Sequence, residues 1–103
     1  RLSQYNKDII PSPASDWERV QVSNSSVHGK GIHASRDIAP GEVIALMYQL
    51  PTEGKCSDVS DFRRTILGRY TNHQDAPNTI PVRHGNGVWL VAAEPIHSGE
   101  EVF

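Results

Sequence analysis

The alternation of apolar and polar residues in the first half of the chain predicts short β-strands separated by turns. Val20 and Val22 alternate with polar neighbours, as on a half-buried strand. Residues 32–34 predict a second short strand, and the run VIALMYQL at 43–50 is the strongest candidate for a buried one. The segments SNSSVHGKG at 23–31 and APGE at 39–42 predict turns, and residues 51–59 predict a loop.

The second half predicts a short helix and then a hairpin. In SDFRRTILG, residues 60–68, Phe62 and Ile66 share one helical face. Ser60 can cap this helix, and Gly68 can end it in the left-handed conformation. In TIPVRHGNGVWLVAA, residues 79–93, HGNG predicts the turn between two strands. Many short strands and one short helix predict a mostly β fold.

Two nine-residue segments resemble each other. ASRDIAPGE at 34–42, here termed the first corner, and AAEPIHSGE at 92–100, the second corner, share Ala, Ile, Gly and Glu at the same spacing. Each predicts the end of a strand, an Ile beneath a turn, Gly-Glu and a new strand. The repetition therefore predicts two similar sheet modules.

Length and composition indicate one small globular domain. The chain has 103 residues, of which 37% are hydrophobic, and low-complexity runs are absent. Residues 1–16 lack apolar periodicity and predict an irregular N-terminal arm, which leaves 17–103 as the domain. Because the chain begins with Arg1 rather than Met, we expect a fragment or a processed product.

Charge and cysteine content exclude several classes of function. The net charge is -2 and the basic residues are scattered, so no nucleic-acid contact is expected. No apolar run is long enough to span a membrane, and no secretory signal is present. A single cysteine, Cys56, excludes an internal disulfide and a cysteine-based zinc site, and no metal site is expected. One free thiol suits a reducing cytoplasm, or the nucleus in a eukaryote.

The segment RYTNHQDAPN at 69–78 predicts neither a helix nor a strand. Asn72 offers a donor and an acceptor, and His73 can fix its ring with one hydrogen bond. Pro77 stiffens the segment, and Asn78 can bond its own turn. Read alone, Asn72 and His73 are either a structural pair that satisfies loop amides or part of a binding site.

Three segments in fixed order carry a family resemblance: HGKGIHASRDIAPGEVI at 28–44, RYTNHQDAPN at 69–78 and VAAEPIHSGEEVF at 91–103. Together they resemble the SET-domain protein lysine methyltransferases, over about residues 17–103. A Gly-x-Gly motif alone is more often a tight turn. The Asn-His and Pro-Asn pairs between two Gly-Glu corners make the resemblance specific.

This resemblance implies a SET-like fold of several small sheets with a pseudoknotted C-terminal region. It also implies S-adenosylmethionine as cofactor and methyl transfer to a lysine of a protein substrate. The cofactor-binding candidates that it assigns are Gly29, Lys30, Gly31, Arg69, Asn72 and His73. The chemistry is an in-line displacement, in which positioning supplies much of the rate, and the lysine must arrive neutral.

Tyr48 and Tyr70 are the catalytic candidates. Tyr48 lies one residue beyond the matching tyrosine of the family, so it faces either the lysine channel or solvent. Tyr70 occupies an aromatic position that more often packs in a core. The family motif continues into a further tyrosine after GEEVF, so the domain is expected to be truncated at its C-terminus.

Gln74 and Asp75 replace the Ser and Cys that often follow Asn-His in this family. The second change indicates a compact member without the zinc-binding post-SET extension. These departures keep a second hypothesis open, namely a catalytically weak or inactive SET-like module that binds a protein or itself. A chain of this size would gain stability by self-association, so a homodimer is a further expectation.

Overall fold

Eight short strands and two short helices make up most of residues 9–50 and 62–103, which are the residues that this computed structural model describes. The strands are β1 (Ile9–Ile10), β2 (Val20–Asn24), β3 (Lys30–Ala34), β4 (Val43–Gln49), β5 (Arg63–Thr65), β6 (Thr79–His84), β7 (Gly87–Ala92) and β8 (Glu101–Val102). A 3₁₀ helix spans Ala14–Glu18, and the α-helix α1 spans Ile66–Arg69.

The strands form two sheets, so the predicted mostly β fold is confirmed. The larger sheet has the order β1-β5-β4-β7-β6, and the smaller has the order β2-β3-β8. Every pairing is antiparallel except that of β1 with β5. Among the described residues, no helix is long and apolar enough to cross a membrane.

The strands predicted from the alternating pattern are present, and so is the hairpin. In that hairpin β6 pairs with β7 through a two-residue turn, where Gly85 takes a φ of 59°. Pro81 lies in β6, which is an edge strand, as expected for a residue without an N–H. The predicted turn 23–31 is shorter than expected, because β2 extends to Asn24 and β3 already begins at Lys30.

The two corners pair with each other around an approximate two-fold axis. Ile38 and Ile96 each donate an N–H to the carbonyl of the other, at 2.8 and 3.0 Å. Gly41 and Gly99, with φ of 84° and 90°, each donate to the carbonyl of the alanine that begins the other corner, at 2.8 and 2.7 Å. The repeat in the sequence is therefore one structural device used twice, which carries the chain between the two sheets, from β3 to β4 and from β7 to β8.

The core is formed by apolar side chains from both sheets, both corners and α1. Its fully buried members include Val20, Ile32, Ile38, Ile44, Leu67, Ile96 and Val102. Ile38 and Ile96 each lie beneath their turn, as the repeat predicted.

The helix predicted over 60–68 is wrong in its extent. Residues 63–65 form β5, and the helix covers only Ile66–Arg69. Thr65 is the actual cap, because its hydroxyl accepts from the Gly68 N–H at 3.0 Å and donates to the Leu46 carbonyl at 2.6 Å. Pairing with β4 thus overrides the helical pattern. Ser60 and the loop 51–59 lie outside the described residues.

The N-terminal arm predicted as irregular contains regular structure in its described part. Ile9 and Ile10 pair in parallel with β5, and the 3₁₀ helix follows. The buried hydroxyl of Ser12 accepts from the Leu67 N–H at 3.0 Å. Residues 9–16 therefore pack against the larger sheet, and their short elements carry no periodicity that the sequence could reveal.

Candidate functional site

The turn between β2 and β3 is built around the hydroxyl of Ser25. This oxygen accepts from the N–H groups of Val27 at 2.9 Å and of His28 at 3.3 Å. The Ser25 N–H donates to the carbonyl of Gly29 at 2.8 Å, and Gly29 takes a φ of 51°, which favours glycine. Residues 25–29, here termed the Ser25 turn, thus present the first glycine of the Gly-x-Gly motif at the surface.

Asn72 ties its own segment to this turn, so the structure brings together two of the predicted cofactor elements. Its Nδ2 donates to the carbonyls of His28 at 3.1 Å and Lys30 at 3.2 Å, and to Oε2 of Glu101 at 2.9 Å. An amide nitrogen has two hydrogens, so these three acceptors already engage both. The Asn72 nitrogen therefore holds the backbone of the Ser25 turn and Lys30 through carbonyl groups.

Glu101 is a site residue that the sequence analysis missed. Its side chain is only 6% exposed, and its carboxylate accepts from Ser25 Oγ at 2.7 and 2.8 Å in addition to Asn72. His33 Nε2 lies 3.9 Å from Oε1, while His33 Nδ1 is hydrogen-bonded to Ser23 Oγ at 2.8 Å. A signal was available, because the first corner continues into Val43 where the second continues into Glu101.

Gly31 is required for a different reason from Gly29. A Cβ at this position would collide with Oε2 of Glu101 and lie 2.9 Å from Nδ2 of Asn72. The second glycine of the motif therefore allows β3 to approach the carboxylate and the amide closely, whereas the first supplies a positive φ.

Asn78 clamps the strand that carries Glu101. Its Nδ2 donates to the Glu101 carbonyl and its Oδ1 accepts from the Phe103 N–H, both at 2.9 Å. The expectation that Asn78 bonds its own turn is therefore wrong. The Asn78 amide instead bonds the backbone of Glu101 and Phe103, which are distant in sequence, so turn preferences of neighbouring residues could not predict these bonds.

The other predicted cofactor residues lie at the surface. Lys30 is exposed, with Nζ 3.5 Å from Oδ1 of Asn24, and His73 is exposed beside Asn72. Arg69 is exposed at the end of α1, and its guanidinium lies 5.9 Å from the centre of the Tyr70 ring. Cofactor contact by these three residues stays a prediction.

Tyr48 and Tyr70 are both half-buried against the core. The Tyr48 ring lies edge-on to Phe62, with centroids 6.2 Å apart, and the Arg64 guanidinium is 5.7 Å from its centre. Tyr70 follows α1 and packs as its aromatic position predicted. A catalytic role for either hydroxyl stays a prediction.

Within residues 9–50 and 62–103, no three His, Cys, Asp or Glu side chains are grouped to hold a metal ion.

A family model described as SET domain matches residues 45–103, which include Asn72, Asn78 and the second corner. No curated protein matches the chain. Several solved structures share its fold. A Plasmodium falciparum protein assigned as a histone methyltransferase gives a TM-score of 0.61 at 18% identity, and the match covers 84% of this chain and 90% of that one.

Two further structures show the same likeness. The methyltransferase domain of human PR domain-containing protein 2 gives a TM-score of 0.61 at 17% identity, with 84% of this chain and 75% of that chain covered. The SET domain of the RIZ1 tumor suppressor (PRDM2) gives 0.58 at 16% identity, with 89% and 69% covered. At these identities the likeness concerns the fold alone.

Proposed function

This chain belongs to the SET-domain family, and on that premise we propose that it transfers a methyl group from S-adenosylmethionine to a lysine side chain of a protein substrate. One observation carries the proposal most directly. Asn72 lies within the matched region and is hydrogen-bonded to the backbone on both sides of Gly29. Two predicted cofactor elements, 44 residues apart in sequence at that hydrogen bond, thus lie in contact, which supports the proposal.

The residues at this site suit the cofactor. Gly29 is exposed and places no side chain over the backbone, whereas the space beside Gly31 is taken by Glu101 and Asn72. S-adenosylmethionine carries a carboxylate and an adenine, which backbone donors and acceptors can bind. When bound, it supplies an electrophilic methyl group on sulfonium sulfur. We propose that the backbone at 29–31, with Asn72 and His73, holds the cofactor.

The lysine substrate would enter near Tyr48. A hydroxyl there can hold the amine, and weak C–H···O bonds can orient a polarised methyl group. Desolvation in a narrow apolar channel would favour the neutral amine, which is the nucleophilic form. Tyr70 is the second candidate for the same role.

The proposal is tested by measuring the affinity of S-adenosylmethionine by calorimetry for the wild type and for Asn72→Ala. We expect the variant to lose binding, because the backbone on both sides of Gly29 loses its donor. Asn86→Ala is the matched control, since Asn86 lies exposed in the β6–β7 turn. Unchanged affinity in Asn72→Ala would exclude the assigned site. Thermal unfolding of both variants separates a local effect from global unfolding.

A second candidate is a SET-like module that binds a protein without efficient catalysis. It is favoured by Gln74, which replaces the Ser that usually follows Asn-His in this family. Incubating the protein with labelled cofactor and candidate proteins distinguishes the two. Transfer of label to a lysine supports the enzyme, whereas stable protein binding without transfer supports the module.

A further inference from the structure

Glu101 stands where the approximate two-fold symmetry of the corners would place an apolar residue. Its counterpart in the first corner is Val43, which is 42% exposed. The Glu101 side chain is 6% exposed. Burying a carboxylate is costly unless hydrogen bonds compensate for the loss of water. The Glu101 carboxylate is buried and hydrogen-bonded, which indicates a structural role at this position.

The groups nearest the Glu101 carboxylate are donors. The Ser25 hydroxyl donates to it at 2.7 and 2.8 Å, and the Asn72 amide donates at 2.9 Å. An ionised carboxylate accepts at both oxygens and has no hydrogen to donate, so it satisfies both partners together. Hydrogen bonds to a charged acceptor are shorter and stronger than those between neutral groups.

These two partners in turn fix opposite sides of the Ser25 turn. The Ser25 oxygen accepts from the Val27 and His28 N–H groups, while the Asn72 amide holds the carbonyls of His28 and Lys30. Both networks meet at the Glu101 carboxylate. The carboxylate itself is held by the pairing of β8 with β3 and by the Asn78 clamp.

We propose that Glu101 is a positioning residue for the cofactor site: its carboxylate, acting through Ser25 and Asn72, fixes the backbone of residues 25–31 in the conformation that binds S-adenosylmethionine. This inference rests on the function proposed above. It assigns Glu101 no contact with the cofactor or with the reacting atoms. Gly31 fits the same scheme, because only a residue without Cβ leaves room for the carboxylate.

Glu101→Gln tests the proposal, because the amide has the size of the carboxylate but replaces one acceptor with a donor. The Ser25 oxygen already accepts two N–H groups, so it cannot readily accept a third hydrogen from the amide. With the amide oxygen in the Oε1 position Asn72 faces a donor and loses its bond, and with the oxygen in the Oε2 position the NH2 group lies against Ser25 Oγ, so either orientation weakens the network. The matched control is Glu100→Gln, since the neighbouring Glu100 is exposed and caps the His97 N–H at 2.6 Å, away from the Ser25 turn.

Two measurements are compared. Calorimetry should show S-adenosylmethionine binding at least about tenfold weaker in Glu101→Gln, the loss expected for one hydrogen bond to a charged group. Hydrogen exchange by NMR on the free protein should show the Val27 and His28 amides exchanging several-fold faster. Glu100→Gln should change neither quantity by more than about twofold. Ser25→Ala, which removes the link but leaves Glu101, should accelerate exchange at the same two amides.

The outcomes separate this proposal from the proposed function. Wild-type affinity in a folded Glu101→Gln protein overturns the positioning role. Unchanged exchange in Glu101→Gln overturns the claim that the carboxylate holds the turn, even where Ser25→Ala, which removes the acceptor itself, speeds exchange. If the wild type itself binds no S-adenosylmethionine, the proposed function fails and the cofactor role of Glu101 fails with it. The exchange data then still decide whether the carboxylate orders the turn.

Discussion

At the scale of single residues, the buried Asp16 carboxylate has a structural role. It is 1% exposed, and its Oδ2 accepts from the N–H of Leu46 in β4 at 2.8 Å. Arg19 Nη1 lies 3.2 Å from Oδ1. Burial raises the pKa of the Asp16 carboxyl, and the Leu46 N–H and the Arg19 guanidinium oppose this rise without cancelling it. The folded chain therefore holds the proton on Asp16 more tightly than the unfolded chain does.

This raised pKa predicts the sign of a pH effect on stability. Between the ordinary pKa of an aspartate and the raised one, the folded state binds more protons, so ionisation of Asp16 lowers the free energy of unfolding as pH rises. Above the raised pKa the effect is constant. Asp16→Asn removes this titration. The free energy of unfolding of the wild type minus that of Asp16→Asn should thus fall as pH rises through this window, as measured by urea denaturation.

Asp16→Ala is the comparison that separates charge from hydrogen bonding. Asparagine can still accept from the Leu46 N–H, but alanine leaves this buried donor without its acceptor. Such a loss costs about 1–3 kcal/mol. Asp16→Ala should thus be less stable than Asp16→Asn across the pH range. A wild-type-minus-Asn difference that rises with pH would contradict the raised pKa.

The junction of β5 and α1 shows, at element scale, how tertiary contacts override a local pattern. Gly68 does not end the helix in the left-handed conformation, since it lies inside α1. A Cβ on Gly68 would lie 2.5 Å from the Met47 carbonyl oxygen and 3.2 Å from Thr65 Oγ1. The glycine is therefore needed for the close packing of α1 on β4.

Gly68→Ala should consequently destabilise the protein. In an ordinary helix interior this substitution stabilises by about 0.5–1 kcal/mol. Here the added methyl must displace backbone of β4, which costs about 1–3 kcal/mol as in other overpacked sites. Urea denaturation checks the sign, with Arg69→Ala as an exposed control in the same helix. A more stable Gly68→Ala protein would show that the β4 backbone moves to accommodate the added methyl group without a loss in the free energy of unfolding.

The sequence predicted the elements that can be recognised from neighbouring residues, and it missed the elements that are stabilised by residues far away in the sequence. The β6–β7 hairpin and the two corners were predicted because their turn glycines and apolar periodicity are visible in the sequence. β1 and the 3₁₀ helix were missed because their stability comes from pairing with β5 and from the bond between Asp16 and Leu46. At the site, the glycines and Asn72 were predicted, but Glu101 needed the comparison of the two corners.

At the scale of the whole molecule, the two sheets depend on each other through the second corner. β8 pairs with β3 in the smaller sheet, whereas Asn78 directly precedes β6 of the larger one. The Asn78 amide bridges them, and the Thr79 hydroxyl adds a hydrogen bond to the Phe103 carbonyl. The position of Glu101 relative to the Ser25 turn thus depends on contacts between the sheets.

Asn78→Ala should therefore weaken both stability and the site. The variant loses two hydrogen bonds of the clamp, each with a net value of about 0.5–1.5 kcal/mol, so the free energy of unfolding should fall by about 1–3 kcal/mol. The Phe103 amide should exchange faster, and so should Val27 and His28, because Glu101 loses its anchor. Asn78→Asp keeps the acceptor for the Phe103 N–H but loses the donor to the Glu101 carbonyl, so exchange at Phe103 should rise less than in Asn78→Ala. Faster exchange at Phe103 with unchanged exchange in the Ser25 turn would show that β3 alone suffices to hold Glu101 in place.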